Sequence, residues 1–410
     1  MEILCHLREN RGAVNSEIVF LSAVRTPFGT YGGALRDVPV VDFTVHAAKT
    51  AIERAGIAAT DIDATTFGNV LYTAADSIYF SRHVALKSGC RTETPALTVN
   101  RLCGSGFQAI VSSAQDILLG DAKVCLAGGA DSMSQAPHVS RGLRWGVPLG
   151  KSPALEDSLW EALRDTYVDL AMGETAENLA EKYDLSRGCV DEFALRSQQL
   201  AAEAWESGAF SDEVIPVPVR NSKTRQVEVF DRDEHMRPKT TLEGLAKLKP
   251  VFRENGVVTA GNASGIGDGA AALVVSSKEF AKSRGLRTLG RLVSWGIAGV
   301  DPAIMGIGPV PAARIALQRA GLTLDDMDLI EVNEAFAPQA CAVERELKIP
   351  REKLNTSGGA IALSHPLAAS GARITAHLLH TLKSRGLRYG LGSACIGGGQ
   401  GIALVVEATA

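Results

Sequence analysis

The chain is poor in aromatics and has no excess of positive charge, no C-x-x-C pair and no long apolar run. Aromatics make up 5% of its 410 residues, and the formal net charge is −4. Without a basic balance, nothing points to the phosphate backbone of nucleic acid. No apolar stretch reaches the roughly 18–20 residues that span a bilayer. The longest candidates, 269–276 and 401–406, have the length of buried strands. The seven cysteines, at 5, 90, 103, 125, 189, 341 and 395, are scattered and odd in number. That argues against a disulfide framework and for a reducing compartment. The first residues mix Glu2 and Glu9 with Arg8 and Arg11 and show no secretory core. They read as an extension, 1–16, ahead of a first strand at 18–22. No G-x-G-x-x-G opens a helix in a βαβ unit, so a dinucleotide fold is not indicated.

What is present is glycine, 41 residues of it, in a chain that is 46% hydrophobic. This composition suits a tightly packed α/β protein with many strand–helix turns. The chain also contains itself twice. The run Ala51-Ile-Glu-Arg-Ala-Gly-Ile-Ala-Ala-Thr-Asp-Ile-Asp63 aligns with Ala316-Leu-Gln-Arg-Ala-Gly-Leu-Thr-Leu-Asp-Asp-Met-Asp328. Each copy predicts a helix closed by a glycine, an acidic turn, then a strand. The strands fall at 64–70 and 329–333, and later ones at 123–127 and 389–394. A unit this large is not a short solenoid repeat. It predicts two similar α/β halves related by a pseudo-twofold, with a site where equivalent turns meet. The predicted halves are 17–132 with 261–285, and 286–410. Between them, 133–260 reads as an inserted loop domain of charged helices (176–183 and 190–207) and proline-rich turns, a place for substrate recognition.

Four segments carry chemistry. Cys103 lies in Val99-Asn-Arg-Leu-Cys-Gly-Ser-Gly106, ahead of an apolar helical pattern of Phe107, Ile110, Val111 and Ala114. A thiol at a helix start meets free N–H groups and the positive dipole end, which favour a thiolate nucleophile. The alternative is a small buried hydrophobe. His365 lies in Gly358-Gly-Ala-Ile-Ala-Leu-Ser-His-Pro366, at the turn equivalent to that of Cys103. A neutral imidazole there can take the thiol proton; otherwise it is a structural histidine. Cys395 lies in a run with five glycines between 392 and 401 and can act as an acid/base. Asn333 closes the second-half strand, where its amide can orient a water, bind an oxyanion or cap a helix.

Together these segments resemble the thiolase family, over about residues 17–409. The quoted motifs Asn100–Gly106, Val332-Asn-Glu-Ala-Phe336, Gly358–Leu367 and Cys395–Gly401 stand in the family's order, with 259–265 and 172–178. Arg25–Gly29, 157–160, 233–242 and 304–311 are similar to its mitochondrial-type branch, which acts on 3-ketoacyl-CoAs. The resemblance implies a layered α-β-α-β-α thiolase fold and a ping-pong Claisen reaction in β-oxidation. It implies Cys103 as acyl carrier, His365 as its base and Cys395 as acid/base. One oxyanion hole would be His365 with a water on Asn333; the other would be the N–H groups of Cys103 and Gly397. It implies coenzyme A as substrate, with no metal or other cofactor. CoA would meet Arg237 and Thr240 at its nucleotide end. Ser264, Ala260, Phe252, Met172 and Phe336 would line the pantetheine tunnel. A homo-oligomer is expected, in a bacterial cytoplasm or, in a eukaryote, the mitochondrial matrix. The alternatives are a biosynthetic acetoacetyl-CoA thiolase, or an acyl-CoA-binding relative with impaired turnover. Ser364 and Ala368 replace the family's usual glycines, and a Cβ at either position is expected to crowd the base.

Overall fold

The computed structural model describes residues 17–220 and 224–409. The expected 1–16 extension lies outside them. The chain supplies β1 (Ile18–Arg25), α1 (Val40–Arg54), β2 (Ala64–Gly68), α2 (Phe80–Lys87), β3 (Ala96–Val99), α3 (Ser105–Leu119) and β4 (Val124–Ser132). A long excursion follows, with α4 (Met172–Lys182), α5 (Arg187–Glu206) and three small two-stranded sheets. The chain then returns through β5 (Gly267–Ser277). The main elements that follow are β6 (Gly290–Gly299), α6 (Pro309–Ala320), β7 (Leu329–Val332), α7 (Ala337–Leu347), α8 (Leu367–Ser384), β8 (Tyr389–Ile396) and β9 (Gln400–Ala408).

The duplication is visible in the strand order. The first half runs β3-β2-β4-β5-β1, and the second runs β7-β8-β9-β6. Pairing is parallel for β2 with β3 and β4, and antiparallel for β4 with β5 and β5 with β1. The second half repeats this: β7 with β8 is parallel, and β8 with β9 and β9 with β6 are antiparallel. The counterpart of β3 is reduced to a parallel bridge between Ile330 and Leu354. In both copies the helix closes on a left-handed glycine, Gly56 at φ +70° and Gly321 at φ +67°, which costs glycine nothing sterically. The half-sheets join edge to edge through β1 and β6, from Ile18 opposite Leu292 to Phe20 opposite Gly290.

Alternation along fully buried strands builds the layers. On β5, Ala270, Ala272 and Val274 face one core with α1, while Ala271, Leu273 and Val275 face another with α3 and α8. Both faces are apolar because helices cover both. α3 and α8 each contact strands of both halves, so they form the middle layer. α1 and α2 cover the outer face of the first half. α6 and α7 join the outer core of the second. Phe107, Ile110, Val111 and Ala114 are all at most 1% exposed. Each large side chain so buried contributes about 1.5–3 kcal/mol.

Several strands run further than the sequence suggests. β4 continues to Ser132 because its ladder with β5 extends to Ser132 opposite Asp268. β1 continues to Arg25, which enters a buried charge cluster. Its guanidinium meets Glu213 at 2.6 Å and Asp233 at 2.7 Å, both from the excursion, and Glu213 also meets His377 of α8 at 2.8 Å. Burial alone would raise the Glu213 carboxyl; His377 and Arg25 bring it down to about 2. This cluster ties the excursion to the core.

At the centre, α3 and α8 touch backbone to backbone. A Cβ on Gly106 would lie 2.6 Å from both the Ala368 carbonyl and the Ala372 nitrogen. Gly106→Ala should therefore force the helices apart. The expected loss is about 1–3 kcal/mol in urea unfolding, with turnover falling as well.

Candidate active site

The equivalent turns at the starts of α3 and α8 carry Cys103 and His365. Cys103 sits in the 3-10 turn Leu102–Gly104, where Leu102 takes φ +45°. Asn100 Oδ1 accepts the Leu102 N–H at 3.0 Å, and Ser105 Oγ accepts that of Arg101 at 2.8 Å. The Cys103 sulfur is met by the backbone N–H groups of Cys103 itself and of Gly397. The N–H of His365 donates to the Gly265 carbonyl at 2.9 Å. Ser370 Oγ donates to the Pro366 carbonyl at 2.9 Å, so it accepts from His365 Nδ1–H at 2.5 Å. This leaves Nε2 with a lone pair, facing Asn333 Nδ2 at 3.3 Å. The network thus assigns the tautomer in which Nε2 is the base.

Cys103, His365 and Gly397 line one cavity of about 60 Å³, with Met172, Ser264 and Phe336. Cys395 is fully buried behind it, packed with Met305 and Ala335. Phe252 stands one layer back, edge-on to Phe336 at 6.2 Å. Arg237, Thr240 and Ala260 are elsewhere. They line a separate, wider depression of about 510 Å³ with His235, Lys239 and Leu248. The structure therefore brings most of the sequence-derived residues together in two groups, a largely apolar cavity and a separate basic depression. Leu102, Ala335, Leu367 and Met305, which also line the cavity, fall within the motifs 100–106, 332–336, 358–367 and 304–311, whereas nothing in the sequence pattern marks Ala162 or Leu163.

The electrostatics correct one expectation. The helix start does not yield a resting thiolate at Cys103. Burial pushes this thiol up to about 12, against its two N–H donors. Burial, and the nearby Cys103, also push Cys395 up. Burial, with Arg373 beyond it, brings His365 down to about 3. The resting site thus holds two neutral thiols and a neutral imidazole, which needs no buried ion.

Ala368 and Ser364 behave differently. Ala368 is fully buried without crowding, because it faces Gly68, Gly106 and Gly129. Ser364 takes φ +84° and ψ 166°, a conformation open mainly to glycine. Its hydroxyl donates to the Gly265 carbonyl at 3.0 Å, the same acceptor that holds His365.

A duplicated five-layer α/β fold with a thiol, an imidazole and paired N–H groups in one cavity defines an acyl-transferring enzyme of the cysteine type. The Thiolase, N-terminal domain family matches residues 18–279, and the Thiolase, C-terminal domain family matches 286–408. The chain belongs to the thiolase family. It is 52% identical over 393 residues to the human protein called 3-ketoacyl-CoA thiolase, mitochondrial, covering 96% of this chain and 98% of the relative. It is 50% identical over 393 residues to a beta-ketothiolase of Cupriavidus necator, covering 95% and 99%. The crystal structure of human mitochondrial 3-ketoacyl-CoA thiolase in complex with CoA superposes with a TM-score of 0.93 at 52% identity, covering 96% and 98%. An acetyl-CoA acetyltransferase of Bacillus anthracis gives a TM-score of 0.93 at 46% identity, covering 96% and 99%. Among the described residues no helix is long and apolar enough to cross a membrane.

Two outcomes follow from the strained and titrating groups. Ser364→Gly relieves the backbone but loses one hydrogen bond, so a net gain of about 1 kcal/mol is expected in urea unfolding. His365 stays neutral in the fold down to about pH 3, while the unfolded chain binds its proton near 6.5. Stability should fall as pH drops below 6.5, by up to about 1.4 kcal/mol per unit from this group. In His365→Gln the loss between pH 7 and 5 should be smaller by about 2 kcal/mol, read from urea midpoints at the two pH values.

Proposed function

We propose that the chain is a degradative thiolase, converting a 3-ketoacyl-CoA and CoA into acyl-CoA and acetyl-CoA. The observation that carries the reading is the neutral Nε2 of His365 lining the same cavity as the Cys103 thiol. His365 takes the Cys103 proton, and the sulfur attacks the 3-keto carbon. The tetrahedral oxyanion forms between the N–H groups of Cys103 and Gly397. Its collapse breaks the C2–C3 bond and leaves an acyl-Cys103 and the enolate of acetyl-CoA. Cys395 gives the enolate its proton, while His365 and a water on Asn333 hold the enolate oxygen. The protonated His365 passes its proton on to the Cys395 thiolate; CoA then attacks the acyl-Cys103 with His365 as base, and as the acyl-CoA leaves, the Cys103 sulfur takes the proton back from His365. A neutral resting site suits this scheme, since charge appears only where donors are already placed.

Coenzyme A enters by the basic mouth, its nucleotide end against Arg237 and Thr240 and its pantetheine arm along Ala260 and Ser264. The human relative's complex with CoA supports this reading. The segment 133–260 is the loop domain that forms that mouth. The protein works as a homo-oligomer, in a mitochondrial matrix or a bacterial cytoplasm. Exposed apolar residues such as Trp145, Leu149 and Tyr167 support association. A second reading, biosynthetic condensation of two acetyl-CoA molecules, is favoured by the small cavity. It also fits the acetyl-CoA acetyltransferase of Syntrophomonas wolfei, 46% identical over 396 residues, covering 96% of this chain and 99% of that relative.

Thiolysis across acyl lengths with free CoA tests both. Activity on chains beyond acetoacetyl-CoA supports the first reading, and activity confined to acetoacetyl-CoA the second. Cys103→Ala should lower kcat on the order of 10³-fold or more and abolish the acyl adduct seen by mass spectrometry. An adduct on another residue would overturn the assignment.

A further inference from the structure

One buried carboxylate near the cavity has no part in the proposed chemistry. Asp131, on β4, is fully buried. Its Oδ1 accepts from the Val70 N–H at 2.9 Å, the Leu71 N–H at 3.1 Å and Asn69 Nδ2 at 3.2 Å. Its Oδ2 accepts the Ala368 N–H at 2.7 Å. The first three donors belong to one loop, the last to the first turn of α8, three residues after His365. That loop in turn holds the approach to Cys103. Asn69 donates its N–H to the Val99 carbonyl at 3.2 Å, and the Val70 carbonyl accepts from Asn100 Nδ2 at 3.4 Å. Asp131 is therefore the link in a chain of contacts from the nucleophile's turn to the helix of its base. It caps a helix of the second half from a strand of the first.

We propose that Asp131 is a positioning residue that sets the register between Cys103 and His365 across the two halves. The inference rests on Cys103 being the acyl carrier. Position and charge make opposite claims here, so they can be separated. The Asp131 charge opposes the Cys103 thiolate. Removing that charge alone would make the thiol easier to ionise and acylation faster. Removing the bridge would make acylation slower, because a small misplacement of the base is costly in rate.

Asp131→Asn keeps the volume and removes the charge. Its amide can accept from one side only, and its NH2 group opposes an N–H donor on the other. The expected result is a tenfold or larger fall in kcat and in the single-turnover rate of Cys103 acylation. The KM for CoA should stay within twofold, because the basic mouth is not touched. Asp131→Glu restores the carboxylate and should recover part of the rate, which a loss of charge repulsion would not explain. Acylation by Asp131→Asn at the unaltered rate, or faster, overturns the proposal. If Asp131→Asn does not fold, Asp131→Glu alone decides: a fall in kcat with unchanged KM supports the proposal, and full activity overturns it. Absence of Cys103 acylation in the unaltered protein would instead sink the proposed function.

Discussion

The contact between α3 and α8 is the constraint on which the rest depends. Two helices from different halves approach until the backbone of one lies against the Cα of the other at Gly106. Their starts carry the thiol and the imidazole. Packed interiors are dense rather than soft, so this contact fixes the thiol and the imidazole as rigidly as it fixes the core. The surrounding glycines at 68 and 129 serve the same purpose, letting Ala368 sit where a larger neighbour would push α8 away. The outer layers then need only cover the sheets.

The same close packing sets the electrostatics. Cys395 and His365 are buried and Cys103 is enclosed by the cavity walls, and each holds its neutral form. The site is poised rather than charged. Its donors, the N–H groups of Cys103 and Gly397, are held by a 3-10 turn and by the glycine-rich loop after β8, so little reorganisation is needed when an anion forms. The Arg25 guanidinium, buried away from the cavity, is paired with Glu213 and Asp233 and ties the excursion to the core.

Much of the fold was legible in the chain. The alignment of 51–63 with 316–328 foretold two halves, and the strand orders repeat accordingly. The helix at Phe107–Ala114 and the strands at 269–276 and 401–406 stand where periodicity and length put them. Strand ends were not legible, since β4 stops where its partner's ladder stops and not where its own pattern fades. Of the candidate site, Cys103, His365, Asn333 and Cys395 stand out in the sequence at glycine turns and strand ends, and the fold places them in or beside one cavity. Ala162 and Leu163 could not, because an apolar lining residue has no pattern distinguishing it from core.

The sequence by itself determined the thiols and the imidazole that meet, the glycines that let backbones touch, and the duplication that makes two turns equivalent. These are local or periodic properties, carried by composition and spacing. Only the tertiary structure decided that the thiol rests protonated, that Ala368 fits while Ser364 is strained, and that Asp131 bridges the halves. Each of these depends on how much water is excluded and on which groups from distant segments share one volume. Burial outweighs the local dipole of a helix start at Cys103, and no stretch of sequence around that residue could show it.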